Sequence, residues 1–206
     1  MYTPQYAQNN KIDEVKDFIK ANSFGILVSQ LENKIWATHI PLELDKNAEG
    51  KEVLFGHISR ANPQWKNFTN DGQVMCIFNG SNSYISSSWY NHENVPTWNY
   101  IAVHIYGKIK IIEGEEFLSS LKRLVDKYEA GSKKPMSVEK MSQEYIQQTM
   151  KGIVGFEISI DEIHSTYKLS QNRDEINHAN IITELEKKGD INSLAIAEEM
   201  KKHKKQ

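Results

Sequence analysis

The stretch Trp98-Asn99-Tyr100-Ile101-Ala102-Val103-His104-Ile105-Tyr106-Gly107-Lys108-Ile109-Lys110-Ile111-Ile112 decides the fold class. From Tyr100 to Ile112 it alternates with the period of two that marks a β-strand, and Gly114 ends it. The next residues change period. Phe117, Leu118, Leu121, Leu124, Val125 and Tyr128 recur at helical spacing over Glu115–Tyr128. Upstream, Phe24–Leu31, Lys34–Leu44, Val53–Ile58, Val74–Phe78 and Tyr84–Ser88 read as further strands. Leu31-Glu32-Asn33-Lys34 is a turn signal, so the first two pair as a hairpin. Ser59–Asp71, with Asn62-Pro63, reads as a small helix or a connecting loop.

The ends of the chain are helical in pattern. Asn10–Asn22 carries Ile12, Val15, Phe18 and Ile19, with Asn10 as cap and Asp13 and Glu14 in the first turn. After the break at Gly131–Pro135 comes a polar helix at Ser137–Met150. Gly152–Ile160 and Ile163–Leu169 return to strand, and Ile176–Lys188 and Ser193–Lys202 are amphipathic helices. Strands that cluster without strict helix alternation predict α+β with an antiparallel sheet or barrel, not a doubly wound parallel sheet.

Composition narrows the function classes. The chain has 206 residues, with 25 Lys and Arg against 27 Asp and Glu, a net charge of −2. Such a balance disfavours a protein that coats nucleic acid or membrane. The single cysteine, Cys76, forms no intrachain disulfide and builds no Cys-rich zinc site. The first ten residues lack a signal peptide's basic start and apolar core, and no apolar run is long enough to span a membrane. A cytoplasmic setting without membrane association is therefore expected. Glycine-rich nucleotide loops, Gly-x-Ser-x-Gly and His-Glu-x-x-His are absent. The seven histidines show no pair at metal-ligand spacing, so no metal site is expected.

Four segments are denser in polar and aromatic residues than a plain fold needs: Ala37–Leu42, Gly56–Trp65, Tyr84–Gly107 and Lys168–Arg173. Arg60, Arg123 and Arg173 are the only arginines, and two of them lie in these segments. Arginine forks suit phosphate, and Ser59-Arg60-Ala61-Asn62 stands where a strand meets a helix start. The competing reading is a capped turn with a surface arginine. Trp89, Tyr90, Trp98, Tyr100 and Tyr106 suit a flat-ligand pocket or a dimer interface, against the alternative of core packing. His104 on a strand reads as structural, and His39 beside Thr38 is more open to a ligand. Lys168 and Arg173 flank a polar corner able to meet an anion, or merely to be solvated.

In order, the segments are Ala37-Thr38-His39-Ile40-Pro41-Leu42, Gly56-His57-Ile58-Ser59-Arg60-Ala61-Asn62-Pro63-Gln64-Trp65, Tyr84-Ile85-Ser86-Ser87-Ser88-Trp89-Tyr90, Val95-Pro96-Thr97-Trp98-Asn99-Tyr100, Val103-His104-Ile105-Tyr106-Gly107, Ile153-Val154-Gly155-Phe156-Glu157-Ile158 and Lys168-Leu169-Ser170-Gln171-Asn172-Arg173. Together they resemble the PaiB-type family of FMN-binding negative transcriptional regulators, over nearly the whole chain. Ser81 after Gly80, and Ser87, stand where the family pattern has prolines.

The resemblance implies an α+β FMN-binding split β-barrel, antiparallel and akin to flavin reductases and pyridoxamine-phosphate oxidases, with flanking helices. It implies a domain over residues 1–170 and a C-terminal helical appendage over 171–206 packed on it. It also implies a homodimer with FMN at the subunit interface. On that reading Ser59, Arg60 and Asn62, after the strand bearing His57, hold the phosphate. Thr38 and His39 lie beside the ring or ribityl chain. Trp98, Asn99, His104, Lys168, Ser170, Gln171 and Arg173 contribute from the partner subunit. An FMN-dependent oxidoreductase or a flavin sensor are both consistent with it. The alternatives are a regulator acting by DNA or protein contact, with the basic run Lys201–Lys205 as its only cationic tail, and a haem protein using His39, His57, His104 or His164.

Overall fold

The computed structural model describes residues 1–68 and 72–203. Thr69–Asp71 of the predicted connecting segment, and Lys204 and Lys205 of the basic tail, lie outside the described residues. Helix α1 (Ile12–Ala21) is followed by strands β1 (Phe24–Leu31), β2 (Lys34–Pro41), β3 (Glu43–Lys46), β4 (Glu52–Ser59), β5 (Gly72–Ile85) and β6 (Thr97–Ile112). Helices α2 (Gly114–Glu129) and α3 (Gln143–Met150), strands β7 (Ile153–Ser159) and β8 (Glu162–Lys168), and helices α4 (Glu175–Lys188) and α5 (Ile191–Lys202) complete the order. Among the described residues, eight strands join in one sheet in the order β2-β1-β5-β6-β7-β4-β3, with β8 also on β6. The β1–β2, β1–β5, β3–β4, β4–β7 and β6–β7 pairings are antiparallel.

Local chemistry accounts for the elements. The β1–β2 hairpin turns on Glu32 and Asn33, both at positive φ (49° and 61°), the handedness that matches strand twist. The expected single strand Lys34–Leu44 is divided. Pro41 has no N–H to donate, the Leu42 amide makes one last rung of the β1–β2 register to the Ser23 carbonyl at 2.8 Å, and from Glu43 the chain pairs with β4 instead. The separate strand signals at Val74–Phe78 and Tyr84 merge into the 14-residue β5. The side chain at the start of α1 is Asn9, whose Oδ1 accepts the Lys11 amide at 3.0 Å, one residue before the expected Asn10. The polar helix expected over Ser137–Met150 shrinks to a short turn and α3, capped where Ser142 Oγ accepts the Tyr145 amide at 3.2 Å. Asp174 and Asp190 cap α4 and α5, and Gly189 takes the left-handed conformation (φ 70°) that closes α4.

The chain forms two compact units, with β5 and β6 running through both. One comprises Ile19–Ile77 and Ile105–Ile163, and its core buries Leu27, Leu42, Leu54, Ile58, Cys76, Ile109, Phe156 and Ile158. On it, Val53, Phe55, Ile112 and Phe117 form a satellite cluster under Leu121, Met150 and Ile153. Phe117 reaches this cluster because Gly155 lies beneath its ring, where any Cβ would collide with it. The other unit comprises Met1–Phe18, Phe78–His104 and the chain from His164 onward. It buries Phe78, Ile85, Val103, Leu169, Ile181, Leu185, Ile196 and Met200. Among the described residues no helix is long and apolar enough to cross a membrane.

Candidate functional site

In the unit built on Ile19–Ile77 and Ile105–Ile163, β4 ends by delivering Ser59 and Arg60 to the edge of β7. The Arg60 amide bonds the Gly152 carbonyl at 2.9 Å. Its guanidinium donates from Nε to the Lys151 carbonyl at 2.9 Å and from one terminal nitrogen to the Ile153 carbonyl at 3.2 Å. The Trp65 ring lies 5.4 Å from the guanidinium carbon, and Trp65 Nε1 donates to the Arg60 carbonyl at 2.9 Å. Two of five N–H donors are thus spent on backbone, which fixes the fork and leaves the others for an anion.

Arg60 and Trp65 stand at a cleft of about 440 Å³. Its walls include Ile111, Ile112, Phe117, Met150 and Ile153, and its polar lining includes Gln147, Lys151 and the carboxylate of Glu113. The chemistry is a fixed cation beside an apolar, partly aromatic wall. That combination suits an anionic group carried on a flat apolar body.

Behind it lies a hydrogen-bond network that the sequence reading did not single out. Gln64 is fully buried. Its Nε2 donates to the Leu27 carbonyl at 3.2 Å, Ser29 Oγ at 3.0 Å and the Trp36 carbonyl at 3.4 Å. Its Oε1 accepts the Thr38 hydroxyl at 2.5 Å. Asn62 Nδ2 donates to Thr38 Oγ1 at 2.9 Å, while Asn62 Oδ1 accepts the Gln64 amide at 3.1 Å. The hydroxyl of Thr38 and the cap of Asn62 therefore hold the Pro63–Asn67 turn against β1 and β2. The legible clue was Gln64 itself, a polar residue directly after Asn-Pro. His39 is exposed on β2. His57, on β4, sits 6.5 Å from the Phe117 ring, and burial pushes its pKa below the ordinary 6.5, which keeps the imidazole neutral near pH 7.

In the other unit the structure gathers five more candidates. Lys168 Nζ donates to Thr97 Oγ1 at 2.6 Å. Partial burial, and then the Arg173 charge, lower the Lys168 pKa. Ser170, at φ 60°, donates from Oγ to buried Asn99 Oδ1 at 3.0 Å. Gln171 closes the same corner, accepting the Leu169 amide at 2.8 Å and donating to the Tyr167 carbonyl. The Arg173 guanidinium lies 5.1 Å from the Tyr90 ring centre. Trp98 stays 53% exposed, edge-on to Tyr84 at 5.9 Å. His104 lies further along β6, its pKa lowered by burial and then by the Met1 amine and His164. The corner thus combines two cations with a ring, on a backbone locked by Asn99, Ser170 and Gln171.

Comparison with known proteins bears on the family and the fold. The family model described as "Putative FMN-binding domain" matches residues 1–162. The chain is 41% identical, over 207 residues and the full length of both chains, to Protease synthase and sporulation protein PAI 2 of Bacillus subtilis. It is 26% identical over 230 residues to an uncharacterized protein of Emericella nidulans, covering 92% of each. Among solved structures it is similar to the flavocytochrome Anf3 of Azotobacter vinelandii, with a TM-score of 0.61 at 16% identity, over 86% of this chain and 78% of that one. It is also similar to the FAD and heme binding protein of Mycobacterium smegmatis, with a TM-score of 0.58 at 11% identity, over 79% and 73%. Those two likenesses speak for the fold, an antiparallel sheet with flanking helices of the flavin-binding split-barrel kind. The family match and the full-length identity settle the membership: the chain belongs to the PaiB-type family of FMN-binding domains, whose cofactor is FMN.

Proposed function

We propose that this protein is a homodimeric, FMN-binding regulator that holds the flavin phosphate at Arg60. The observation that carries the reading is the Arg60 guanidinium, pinned by the Lys151 and Ile153 carbonyls at the head of an apolar cleft. The donor set fits the cofactor. Arg60 and Lys151 line the cleft and outnumber its one carboxylate, Glu113, so they offer cationic groups for a phosphate dianion, with Ser59 next to Arg60 in sequence, and the aliphatic and aromatic wall fits a flat ring. Lys168 and Arg173 are a second cationic corner, which the dimer reading assigns to the cofactor's other face. Bound FMN would supply one- or two-electron chemistry, and the chain's own part is to bind it, orient it and exclude water. Thr38, Asn62 and Gln64 serve as positioning residues, because they fix the turn that follows Arg60.

Regulation in this reading passes through flavin occupancy in a cytoplasmic protein, not through a cationic nucleic-acid surface. The net charge of −2 favours that route. The relative from Bacillus subtilis bears a name drawn from protease synthesis and sporulation, which fits a control role.

Titration of FMN into the purified protein, followed by flavin fluorescence, tests the reading, with mass measured on the same sample by light scattering. Saturable binding at micromolar FMN by a dimer is the expected result. Arg60→Ala should weaken binding about tenfold to a hundredfold, the worth of a charge-assisted contact. An unchanged affinity removes the phosphate role, and a low-salt gel shift with promoter DNA would favour direct contact instead.

A further inference from the structure

Glu14 on α1 and Glu199 and His203 at the end of α5 converge within one unit. Each offers one ligand atom, and the three atoms lie within 4.8 Å of one another. His203 Nε2 is 2.6 Å from Glu14 Oε1 and 3.5 Å from Glu199 Oε2. Glu199 and His203 are four residues apart on one helix, so they project from the same face one turn apart.

Two features distinguish this trio from an exposed acidic patch. First, the His203 side chain is only 12% exposed, and its ring lies 5.2 Å from the ring of buried Tyr167. Nε2 is shielded from solvent and, among the described residues, makes no aligned hydrogen bond despite its short approach to Glu14. Nε2 faces the two carboxylate oxygens at 2.6 and 3.5 Å, a donor set and spacing that a divalent cation would draw together. Second, the outer oxygens of both carboxylates are engaged. Glu199 Oε1 pairs with Lys202 at 2.7 Å, and Glu14 Oε2 with Lys11 at 3.7 Å. Those contacts turn Glu14 Oε1 and Glu199 Oε2 toward the imidazole, as outer partners orient metal ligands.

We propose that Glu14, Glu199 and His203 bind one divalent transition-metal ion that clips α1 to the end of α5. One imidazole and two carboxylates suit zinc-class ions, whose bonds of about 2.0–2.2 Å put neighbouring ligand atoms roughly 3 Å apart. Three protein ligands leave at least one position for water or an exogenous ligand. The site draws on none of the residues assigned to the flavin. Because its ligands come from opposite ends of the chain, the ion would stabilise the fold by binding the native state alone.

The test uses tag-free, full-length protein, stripped with a chelator and titrated with Zn²⁺ by calorimetry, with melting temperatures recorded with and without zinc. One equivalent should bind saturably and raise the melting temperature. His203→Ala, Glu14→Gln and Glu199→Gln should each weaken binding at least about tenfold and abolish the zinc-dependent rise, while His92→Ala binds as the parent. Absence of stoichiometric binding by the parent overturns the proposal, as does parental affinity in a folded Glu14→Gln or Glu199→Gln protein. Variants that melt lower without zinc, beside a parent that ignores zinc, would show the trio to be an ion-pair cluster and overturn it equally.

Discussion

Gln64 shows how much one side chain can decide. A fully buried amide satisfies the carbonyls of Leu27 and Trp36, the Ser29 hydroxyl and the Thr38 hydroxyl at once. Replacement by Leu keeps the volume but leaves those groups without their partner in a dry site. Gln64→Leu should therefore lose about 2–4 kcal/mol, read as a lower urea midpoint, and should weaken FMN binding because the turn after Arg60 loosens. Arg60 makes the complementary point. Its side-chain type was visible as a fork suited to phosphate, but whether the fork was free or fixed depended on the Lys151 and Ile153 carbonyls, which come from far along the chain. The same holds for Thr38 and Asn62. The sequence could show their polar type, but not that they bond to one another and to Gln64. Side-chain type survives in the sequence; the partner that consumes its hydrogen bonds does not.

At the scale of elements, local signals were read well wherever they were local. The β1–β2 hairpin, the long alternating β6 and the apolar spacing of α2 depend on periods and turn residues within a few positions, and they stand where expected. The departures involve distant pairing. β2 gives way after Pro41 to β3, which pairs with β4 instead of β1, and β5 runs on to Ile85, past the weak signal between Phe78 and Tyr84. Caps were less legible: the sequence reading named Asn10, the side chain that serves is Asn9, and the cap of α5 was not read at all. Asp190 holds α5 by accepting the Ser193 hydroxyl at 2.6 Å and the Ser193 amide at 3.0 Å. Those two bonds, with Lys188 adding less, lower its pKa from 3.8 to about 2. A carboxylate depressed in the folded state contributes stability that is complete above its unfolded value and is lost as pH falls from about 4 toward 2. Asp190→Asn keeps an acceptor for the cap but cannot titrate. Its melting temperature should fall less steeply than the parent's between those pH values, as followed by circular dichroism.

At the scale of the whole molecule the chain divides into two compact units, and the predictions concern linkage. A cofactor that binds only the folded protein stabilises it in proportion to the logarithm of its excess over Kd. FMN at a hundred times its Kd should add about 2.7 kcal/mol and raise the melting temperature by a few degrees, in a scan with and without flavin. In the dimer reading the rise should also grow with protein concentration. A flavin-independent melting temperature would separate inherited family membership from present cofactor use.

By itself the sequence determined most of the elements, the antiparallel α+β class and the family, because periodicity, turn residues and ordered motifs are properties of neighbours along a chain. Tertiary structure alone decided three things. It turned Arg60 into a fixed fork at an apolar cleft, bound Thr38 and Asn62 to Gln64, and brought Glu14 to Glu199 and His203 from opposite ends of the chain. The physical reason is common to all three. Hydrogen-bond satisfaction and charge pairing act across space over a few ångströms, and only folding makes distant residues neighbours at that range.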